Sequence, residues 1–223
     1  MSKEKAIQNY QKQVKVYVLR ATNAPLELLN DILDTSIKGK SSTERIQTAI
    51  LMGHTSFLEF IDIIFKISPV TKSFLGQLTR HRMASYMSSS YHYTIAKNND
   101  WILPYIEEEE LQNLVYDVHV HNFDLYTRLI EADVLKEEAR QILPGSIAHT
   151  IKMKFNGRSL VNFLNLRLCH RNIPEMIAIS NEIQRYCMQW CPEVFCMALP
   201  DCQLKGCRQG KMMCKRKEFN GNT

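Results

Sequence analysis

Alternating hydrophobic and polar positions predict three β-strands. The run 14–18 alternates, the run 57–67 is apolar at its odd positions from Ile61 to Ile67, and the run 149–156 puts Ile151, Met153 and Phe155 on one face. A repeat of two residues is typical of a strand with one buried face. We therefore expect a small sheet that packs one face against a core.

Start and stop signals predict helices between these strands. Pro25 begins a helix through Asp34, Ser41 or Ser42 caps a second to about Met52, and a third begins at Pro69. Further helices are expected over 107–143, 158–168 and after Pro174. Strands and helices do not alternate regularly, so the fold class is predicted to be α+β, with mixed helices and a small antiparallel or mixed sheet. The chain has no Gly-rich nucleotide fingerprint, which argues against a Rossmann cofactor site.

The composition is that of an ordinary globular protein. With 45% hydrophobic and 23% charged residues over 223 positions, the chain can bury the core of one domain. No apolar run is long enough to cross a bilayer, and the segment 1–5 lacks the apolar core of a signal peptide. We therefore expect a cytoplasmic protein without membrane contact.

The C-terminus is basic and rich in cysteine. Its cations are Lys205, Arg208, Lys211, Lys215, Arg216 and Lys217. A solvated basic end is expected, and nucleic-acid binding is the less favoured interpretation. Cys196, Cys202, Cys207 and Cys214 are separated by five, four and six residues, and no Cys-x-x-Cys pair is present. Free thiols and no metal are expected; a tetrathiolate metal site is the alternative.

A basic triplet and a serine-rich segment follow the third predicted helix. The triplet is Arg80, His81 and Arg82. Seven residues separate Arg82 from Ser90. Guanidinium groups suit phosphates, so we expect the triplet at a helix end facing an anion. Gln77, Arg80 and His81 would share a helix face at i, i+3, i+4, and the hydroxyls of 88–90 could form an anion-binding nest. A solvated basic face and a serine-rich turn are the alternatives.

The predicted helix over 158–168 has polar groups on two sides. Arg158 and Asn162 are four residues apart, whereas Arg167 lies about half a turn round from Arg158. Such a helix suits a position between two sites, as at an oligomer interface. Ordinary solvent-exposed side chains are the alternative.

Four motifs in one order resemble those of the flavin-dependent thymidylate synthases. They are Arg-His-Arg-x7-Ser at 80–90, His-x-[Ser/Thr]-x-x-Glu at 54–59, Arg-x-x-Leu-Pro at 140–144, and Asn-x-Arg with Asn-x4-Arg at 156–167. The resemblance covers roughly residues 45–195, and the segment 210–214 resembles the ending of some bacterial members. We therefore expect a domain over 1–195 of this family and a Cys-rich basic tail over 196–223.

The resemblance implies a homotetramer that binds FAD between subunits and methylates dUMP to dTMP. The family takes its one-carbon unit from 5,10-methylenetetrahydrofolate and its reducing equivalents from NADPH through FAD. The implied FAD contacts are His54, Ser56, Glu59, Arg80, His81, Arg82, Asn156, Arg158 and Asn162. The implied nucleotide contacts are Gln77, Arg80, Ser88, Ser89, Ser90, His92, Arg140 and Arg167. Of these, Arg167 would stabilise negative charge on the uracil ring and Ser90 would hold the nucleotide.

The chain departs from the family motif in the nucleotide segment. Ser88 stands where the family has glutamate, and His92 stands where it has a phosphate-contacting arginine. A histidine replaces that charge only when it is protonated. Downstream, the residues 171–175 replace the family's His-Ala-Gln-x-Glu. The alternatives are therefore methylation or hydroxymethylation of another pyrimidine nucleotide and, less favoured, a nucleic-acid-binding module that uses the basic tail.

Overall fold

The computed structural model describes residues 2–36, 39–97, 100–204, 206–207 and 209–214. Its strands are β1 Lys15–Ala21, β2 Asp62–Thr71, β3 Ser85–Ser88 and β4 Ala148–Asn156. Its longer α-helices are α1 Lys3–Gln13, α2 Pro25–Asp34, α3 Thr43–Leu51, α4 Lys72–Leu78, α5 Glu109–Glu131, α7 Gly157–Arg167 and α8 Pro174–Trp190. One-turn α-helices are α6 Lys136–Ala139, α9 Pro192–Phe195 and α10 Asp201–Leu204, and 3₁₀ turns occupy Ser56–Phe60, Arg140–Ile142 and Gly210–Met212.

The four strands form one antiparallel sheet in the order β1-β2-β4-β3. In the central pair, Ile63 lies opposite Phe155 and Phe65 opposite Met153, so the buried faces of β2 and β4 are in register. The prediction of an α+β fold with a small sheet is confirmed. The strand β3 was not predicted, because its four residues are mostly exposed and show no alternation of apolar and polar positions.

The core lies between one face of this sheet and the helices α7 and α8. Fully buried side chains from the three elements belong to one hydrophobic cluster, which includes Ile63, Phe65, Ile67, Ile151, Phe155, Phe163, Leu164, Met176 and Ile183. The predicted inward faces of β2 and β4 are thus confirmed. The cluster extends to Phe195 and Ala198, so the core continues to the boundary expected for the tail. No helix in the described ranges combines the length and the apolar character that a bilayer crossing requires.

The predicted strand over 57–67 was misplaced at both ends. The segment Ser56–Phe60 is a 3₁₀ turn, and β2 runs from Asp62 through Pro69 to Thr71. The register of the β2–β4 pair shifts between Ile67 and Val70, where the proline cannot donate a ladder hydrogen bond. The next helix therefore begins after Pro69, with the Thr71 hydroxyl accepting from the Phe74 amide at 3.0 Å.

The predicted helix over 107–143 is divided into α5, α6 and a 3₁₀ turn. Its break is at Asp133, whose φ of 57° lies in the left-handed region, where a right-handed helix cannot continue.

The helix α1, at the other end of the chain, was not predicted, because its sequence is mostly polar and only Ala6 and Ile7 are buried.

A buried carboxylate joins α8 to the start of α4. The Oε1 atom of Glu175 accepts from the Thr71 amide at 2.8 Å, and its Oε2 accepts from the Thr71 hydroxyl at 2.5 Å. Burial raises the pKa of Glu175 to about 6, although both hydrogen bonds from Thr71 oppose that shift. This carboxyl group therefore links two helices, and it is protonated up to a higher pH than an ordinary glutamate.

This raised pKa predicts how stability depends on pH. Because the folded-state pKa lies above the ordinary value of 4.5, the contribution is fully present below about pH 4.5 and is lost as the pH rises through about 6. Between about pH 4 and 7, the wild type should lose about 2 kcal/mol of unfolding free energy relative to Glu175→Gln. Urea unfolding of both proteins at the two pH values measures this difference.

The matched control is Glu182→Gln, which removes an exposed carboxylate of the same helix that is paired with Arg185. The difference in unfolding free energy between Glu182→Gln and wild type should change by less than about 0.5 kcal/mol between the two pH values. Parallel pH profiles of wild type and Glu175→Gln would show that Glu175 does not hold a raised pKa.

Candidate functional site

Two cavities in the described part of the chain contain some of the polar residues of the sequence motifs. We call the first the α7 cavity; it measures about 480 Å³ and is lined by Leu58, Glu59, Met83, Asn156, Arg158, Val161, Asn162 and Asn165, among others. We call the second the serine cavity; it measures about 330 Å³ and is lined by Lys72, Ser88, Ser89, Ser90, Arg140 and His149, among others. Both volumes are in the range of small-molecule sites.

The start of α7 is fixed by a cap and by a glycine. The Asn156 side chain accepts from the Ser159 amide at 2.8 Å, which satisfies an otherwise free helix donor. A Cβ at Gly157 would lie 2.8 Å from the Leu58 carbonyl oxygen and from the Ile61 side chain, so only glycine permits this close approach. The helix therefore begins directly against the 3₁₀ turn at 56–60, which brings Arg158 within reach of Glu59.

An ion pair marks the rim of the α7 cavity. The Nη1 atom of Arg158 donates to the Oε1 atom of Glu59 at 2.7 Å, and both side chains are about half exposed. Asn162 follows one turn later on the same side of the helix and is exposed. Leu58, Met83 and Val161 add an apolar wall. A cation, amides and an apolar surface together suit an anionic ligand that carries a planar ring.

The spacing i, i+3, i+4 suggested that Arg80 and His81 share a helix face with Gln77. The structure shows that they do not. The helix α4 ends at Leu78, and the chain turns so that His81 is buried between the rings of Phe155 and Phe163. The burial of His81 removes its side chain from solvent, whereas Arg80 and Arg82 on either side of it are exposed.

Ser159 holds this buried histidine in place. The Ser159 hydroxyl donates to the carbonyl oxygen of Met83, so it accepts from the Nε2–H of His81 at 3.1 Å. Burial lowers the pKa of His81, and Arg167 lowers it further, so the imidazole is neutral. The triplet is thus attached to α7 from inside the fold, which leaves its two arginines free to face outward.

Arg167 lies on the other side of α7 from Arg158, as the helix spacing predicted. Its Nη2 atom donates to the Gln77 carbonyl at 3.2 Å, and its Nη1 atom is 3.5 Å from the Asn172 side-chain oxygen. Its Nε atom is buried and has no hydrogen-bond partner among the described residues. This guanidinium is therefore held in position by the fold, through the Gln77 carbonyl and the Asn172 side chain.

The serine cavity adjoins β4 at Thr150, just beyond the end of β3. The Ser89 amide donates to the Thr150 carbonyl at 2.8 Å, and the Ser89 hydroxyl accepts from the Thr150 amide at 3.0 Å. The Nη1 atom of Arg140 lies 3.5 Å from the Ser90 hydroxyl. Burial lowers the pKa of His149, whose Nδ1 atom is 3.1 Å from the Ser89 carbonyl oxygen. Arg140 and Lys72 thus supply positive charge beside a row of hydroxyl groups, an arrangement that can bind a phosphate.

His92 is directed away from this cavity. Its Nδ1 atom is 3.4 Å from the Oε2 atom of Glu137, and both side chains are partly exposed. The histidine that occupies the position of the family's arginine is therefore already next to an anion, so the positive charge in the cavity comes from Arg140 and Lys72.

Each cavity gathers part of the residue set predicted from the sequence. The α7 cavity contains Glu59, Asn156, Arg158 and Asn162, and the serine cavity contains Ser88, Ser89, Ser90 and Arg140. The remaining candidates line neither cavity: His54, Ser56, Gln77, Arg80, His81, Arg82, His92 and Arg167. Sequence reasoning missed Lys72, Met83, His149 and Asn165. Of these, His149 carried a usable signal, because it begins a predicted strand immediately after the Arg-x-x-Leu-Pro motif.

Comparisons with known proteins agree on one family. The family model described as thymidylate synthase complementing protein matches residues 6–193. A flavin-dependent thymidylate synthase of Saccharolobus solfataricus is 33% identical over 159 residues, covering 70% of this chain and 61% of the relative, so the chain spans about three fifths of that protein's length. Relatives of the same name from Geobacter sulfurreducens (29% identical, 82% of this chain, 81% of the relative) and Pyrococcus furiosus (30%, 71% and 72%) are also similar.

The attachment of the triplet predicts a measurable loss of stability in Ser159→Ala. Removing the hydroxyl leaves the buried His81 Nε2–H and the Met83 carbonyl without their partner, at a cost of about 1–3 kcal/mol. The unfolding free energy in urea measures this loss. Ser180→Ala is the matched control, because that hydroxyl is equally buried but has no hydrogen-bond partner among the described residues. Equal effects of the two substitutions would contradict a special role for Ser159.

Proposed function

The chain belongs to the flavin-dependent thymidylate synthase family, and on that basis we propose that it catalyses the reductive methylation of dUMP to dTMP. In this reaction 5,10-methylenetetrahydrofolate supplies the one-carbon unit, and NADPH supplies reducing equivalents through FAD. The observation that carries the proposal is the placement of the motif residues by α7. Arg158 and Asn162 line one cavity, and Arg167 is held on the opposite side of the same helix.

The residues of the α7 cavity fit part of an FAD molecule. Arg158 and Asn162 offer donors to a diphosphate or a ring edge, and Leu58 and Met83 offer apolar surface to a planar ring. The side chain of Arg158 is 53% exposed, so the guanidinium can contact a ligand while Glu59 holds it. When bound, FAD supplies the hydride chemistry of the reaction. The chain's own residues bind and orient it.

The remaining implied FAD contacts support an assembly of several chains. His54, Ser56, Arg80 and Arg82 are exposed but lie outside the α7 cavity, as expected if they contact a flavin held mainly by another subunit. An exposed apolar stripe along α5 (Leu111, Leu114, Val118 and Leu125) offers surface for association. We therefore propose a homotetramer with the fold of the family. Sedimentation of an active monomer would exclude this assembly.

In the proposed enzyme the serine cavity binds the nucleotide. Arg140 and Lys72 would contact its phosphate, and the hydroxyls of Ser88, Ser89 and Ser90 would supply hydrogen bonds. Arg167 would stabilise the negative charge that develops on the pyrimidine ring. A cation that is already fixed by the Gln77 carbonyl and Asn172 needs no reorganisation during the reaction, which favours such a role.

A divergent family member acting on another pyrimidine nucleotide is the second candidate. It is favoured by the serine cavity itself, in which Ser88 replaces a glutamate of the family motif and His92 is turned to Glu137. These changes alter the groups that would face the sugar and the phosphate. A nucleic-acid-binding module is less favoured, and most of its basic residues (Lys205, Arg208, Lys215, Arg216 and Lys217) lie outside the described residues.

We assign the proposed catalytic domain to 1–195 and the Cys-rich tail to 196–223, supported by the end of the family match at residue 193. The free cysteines suit a reducing compartment, which supports the proposed cytoplasmic location.

A product assay tests the proposed function. The purified protein with FAD, NADPH and methylenetetrahydrofolate should convert dUMP to dTMP. UMP and dCMP are tested in place of dUMP in parallel reactions. A methylated or hydroxymethylated product from UMP or dCMP alone would favour the divergent enzyme. No product from any of the three would contradict both candidates.

Flavin content tests the role of α7 separately from catalysis. Arg158→Ala should reduce the flavin bound per chain by about tenfold, because it removes the charge-assisted contact of the α7 cavity. The ratio of visible to ultraviolet absorbance measures this occupancy. Arg185→Ala is the control, since Arg185 pairs with Glu182 on α8, away from both cavities. Undiminished flavin in Arg158→Ala would remove this residue from the cofactor site.

A further inference from the structure

The face of the sheet that is turned away from the core carries a strip of lysines. Side chains alternate along a strand, so the residues between the buried positions of β1, β2 and β4 lie on this outer face. They include Lys15 on β1, Lys66 on β2, and Lys152 and Lys154 on β4. We call these four residues the lysine strip. The proposed flavin and nucleotide sites use none of them.

The strand register places the four lysines close together. Lys66 and Lys152 are directly opposite each other in the β2–β4 pair, and Lys154 follows two residues further along β4. Lys15 is opposite Ser68, two residues along β2 from Lys66. Neighbouring strands are about 5 Å apart, and same-face residues of one strand are about 7 Å apart. By these spacings the backbone positions of the strip span roughly 16 Å.

Most of this positive charge is not neutralised by the chain itself. The Nζ atom of Lys154 is 2.7 Å from the Oδ2 atom of Asp62. The other three, Lys15, Lys66 and Lys152, have no carboxylate at ion-pair distance among the described residues. Three of the four lysines are exposed, and Lys66 is partly exposed. The strip therefore suits a ligand that carries several anionic groups in line.

The lysine strip begins beside the α7 cavity. Asn156 lines that cavity, and Lys154 is two residues earlier on the same strand. On the neighbouring strand side, Met83 lines the cavity, and the exposed Met87 of β3 is opposite Lys152. A ligand that leaves the cavity along β3 and β4 would therefore pass an apolar side chain and reach the lysines.

We propose that the lysine strip binds the glutamate tail of the folate substrate and makes the protein selective for folates with several γ-linked glutamates. This inference rests on the proposed function, in which folate, flavin and nucleotide react together and must meet at contact distance. The folate ring then lies next to the flavin of the α7 cavity, and its tail leaves the cavity as a chain of carboxylates. Lysine ammonium groups on flexible stems suit such a tail, because it has no fixed conformation to match.

Two other occupants fit the strip less well. A single-stranded nucleic acid needs aromatic rings on which its bases stack. Among the described residues, the aromatic ring of this face is that of Tyr17, and the Nζ atom of Lys66 already lies 5.7 Å from its centroid. A second copy of the chain would be expected to cover apolar surface, since lysine is depleted at protein interfaces.

Steady-state kinetics with methylenetetrahydrofolate that carries one or five glutamates tests the proposal. The wild-type KM should be about tenfold lower for the pentaglutamate, because several ion pairs that are individually weak act together. Lys66→Gln/Lys152→Gln should reduce this ratio to about twofold or less, because it removes the two central cations.

The matched control is Lys12→Gln/Lys136→Gln, which removes two exposed lysines of α1 and α6 and lowers the net charge equally. It should keep the wild-type ratio of the two KM values. Equal KM values for the two folates in the wild type, or the same loss of preference in both double variants, would overturn the proposal.

Direct binding keeps this inference separate from the proposed function. Fluorescein-labelled tetra-γ-glutamate should bind the wild type at low ionic strength, and Lys66→Gln/Lys152→Gln should weaken its binding by about tenfold, measured by fluorescence anisotropy. Binding that this variant loses, in a protein that makes no dTMP, would support the strip and contradict the proposed function. A protein that makes dTMP but does not bind the peptide would overturn the inference alone. Tighter binding of a labelled single-stranded oligonucleotide, or altered sedimentation of the variant, would overturn it in favour of a nucleic acid or a second copy.

Discussion

The close approach of α7 to the 3₁₀ turn at 56–60 is the constraint on which the site depends. It exists because residue 157 has no Cβ and because the Asn156 side chain caps the helix where β4 ends. This approach determines which groups the residues of α7 contact. Arg158 reaches Glu59, Ser159 holds His81 and the Met83 carbonyl, and Arg167 emerges on the far side. One strand-to-helix junction thus positions polar groups on both sides of α7.

The polar groups of the site are divided by burial. His81 and Ser159 lie inside, neutral and hydrogen-bonded, and they carry the backbone that presents Arg80 and Arg82. The cations that could meet anionic ligands stand at the cavity rims, where Arg158 keeps an acidic partner and Arg140 lies beside a serine hydroxyl. The buried His81–Ser159 pair is neutral, while the positive charge that a dinucleotide and a nucleotide phosphate require remains accessible on Arg158 and Arg140.

The sequence predicted the elements in which local signals and burial agree. The helix Pro25–Asp34 is one example, because it begins at the proline that predicted its start. The buried faces of β2 and β4 are another, because their alternating apolar positions are the buried ones. The strand β3 and the continuation of β2 past Pro69 both depend on pairing with β4. Pairing with a strand distant along the chain leaves no local sequence pattern. The motif residues were identified from the sequence, but their division between two cavities was not. The burial of His81 follows from Phe155, Phe163 and Ser159, which are more than seventy positions away along the chain. Likewise, Cys169 meets Cys202 and Cys207 at one cavity only through tertiary folding.

A titration of the flavin-loaded protein with dUMP, followed by visible absorbance, tests most directly whether the protein binds the nucleotide next to its flavin. The flavin spectrum should shift and saturate as dUMP is added, because the nucleotide changes the polarity around a ring in contact with it. Arg167→Ala should retain its flavin but require a higher dUMP concentration for the same shift. A flavin spectrum that stays unchanged at high dUMP concentration, in a protein that retains its flavin, would contradict the binding of the two ligands next to each other.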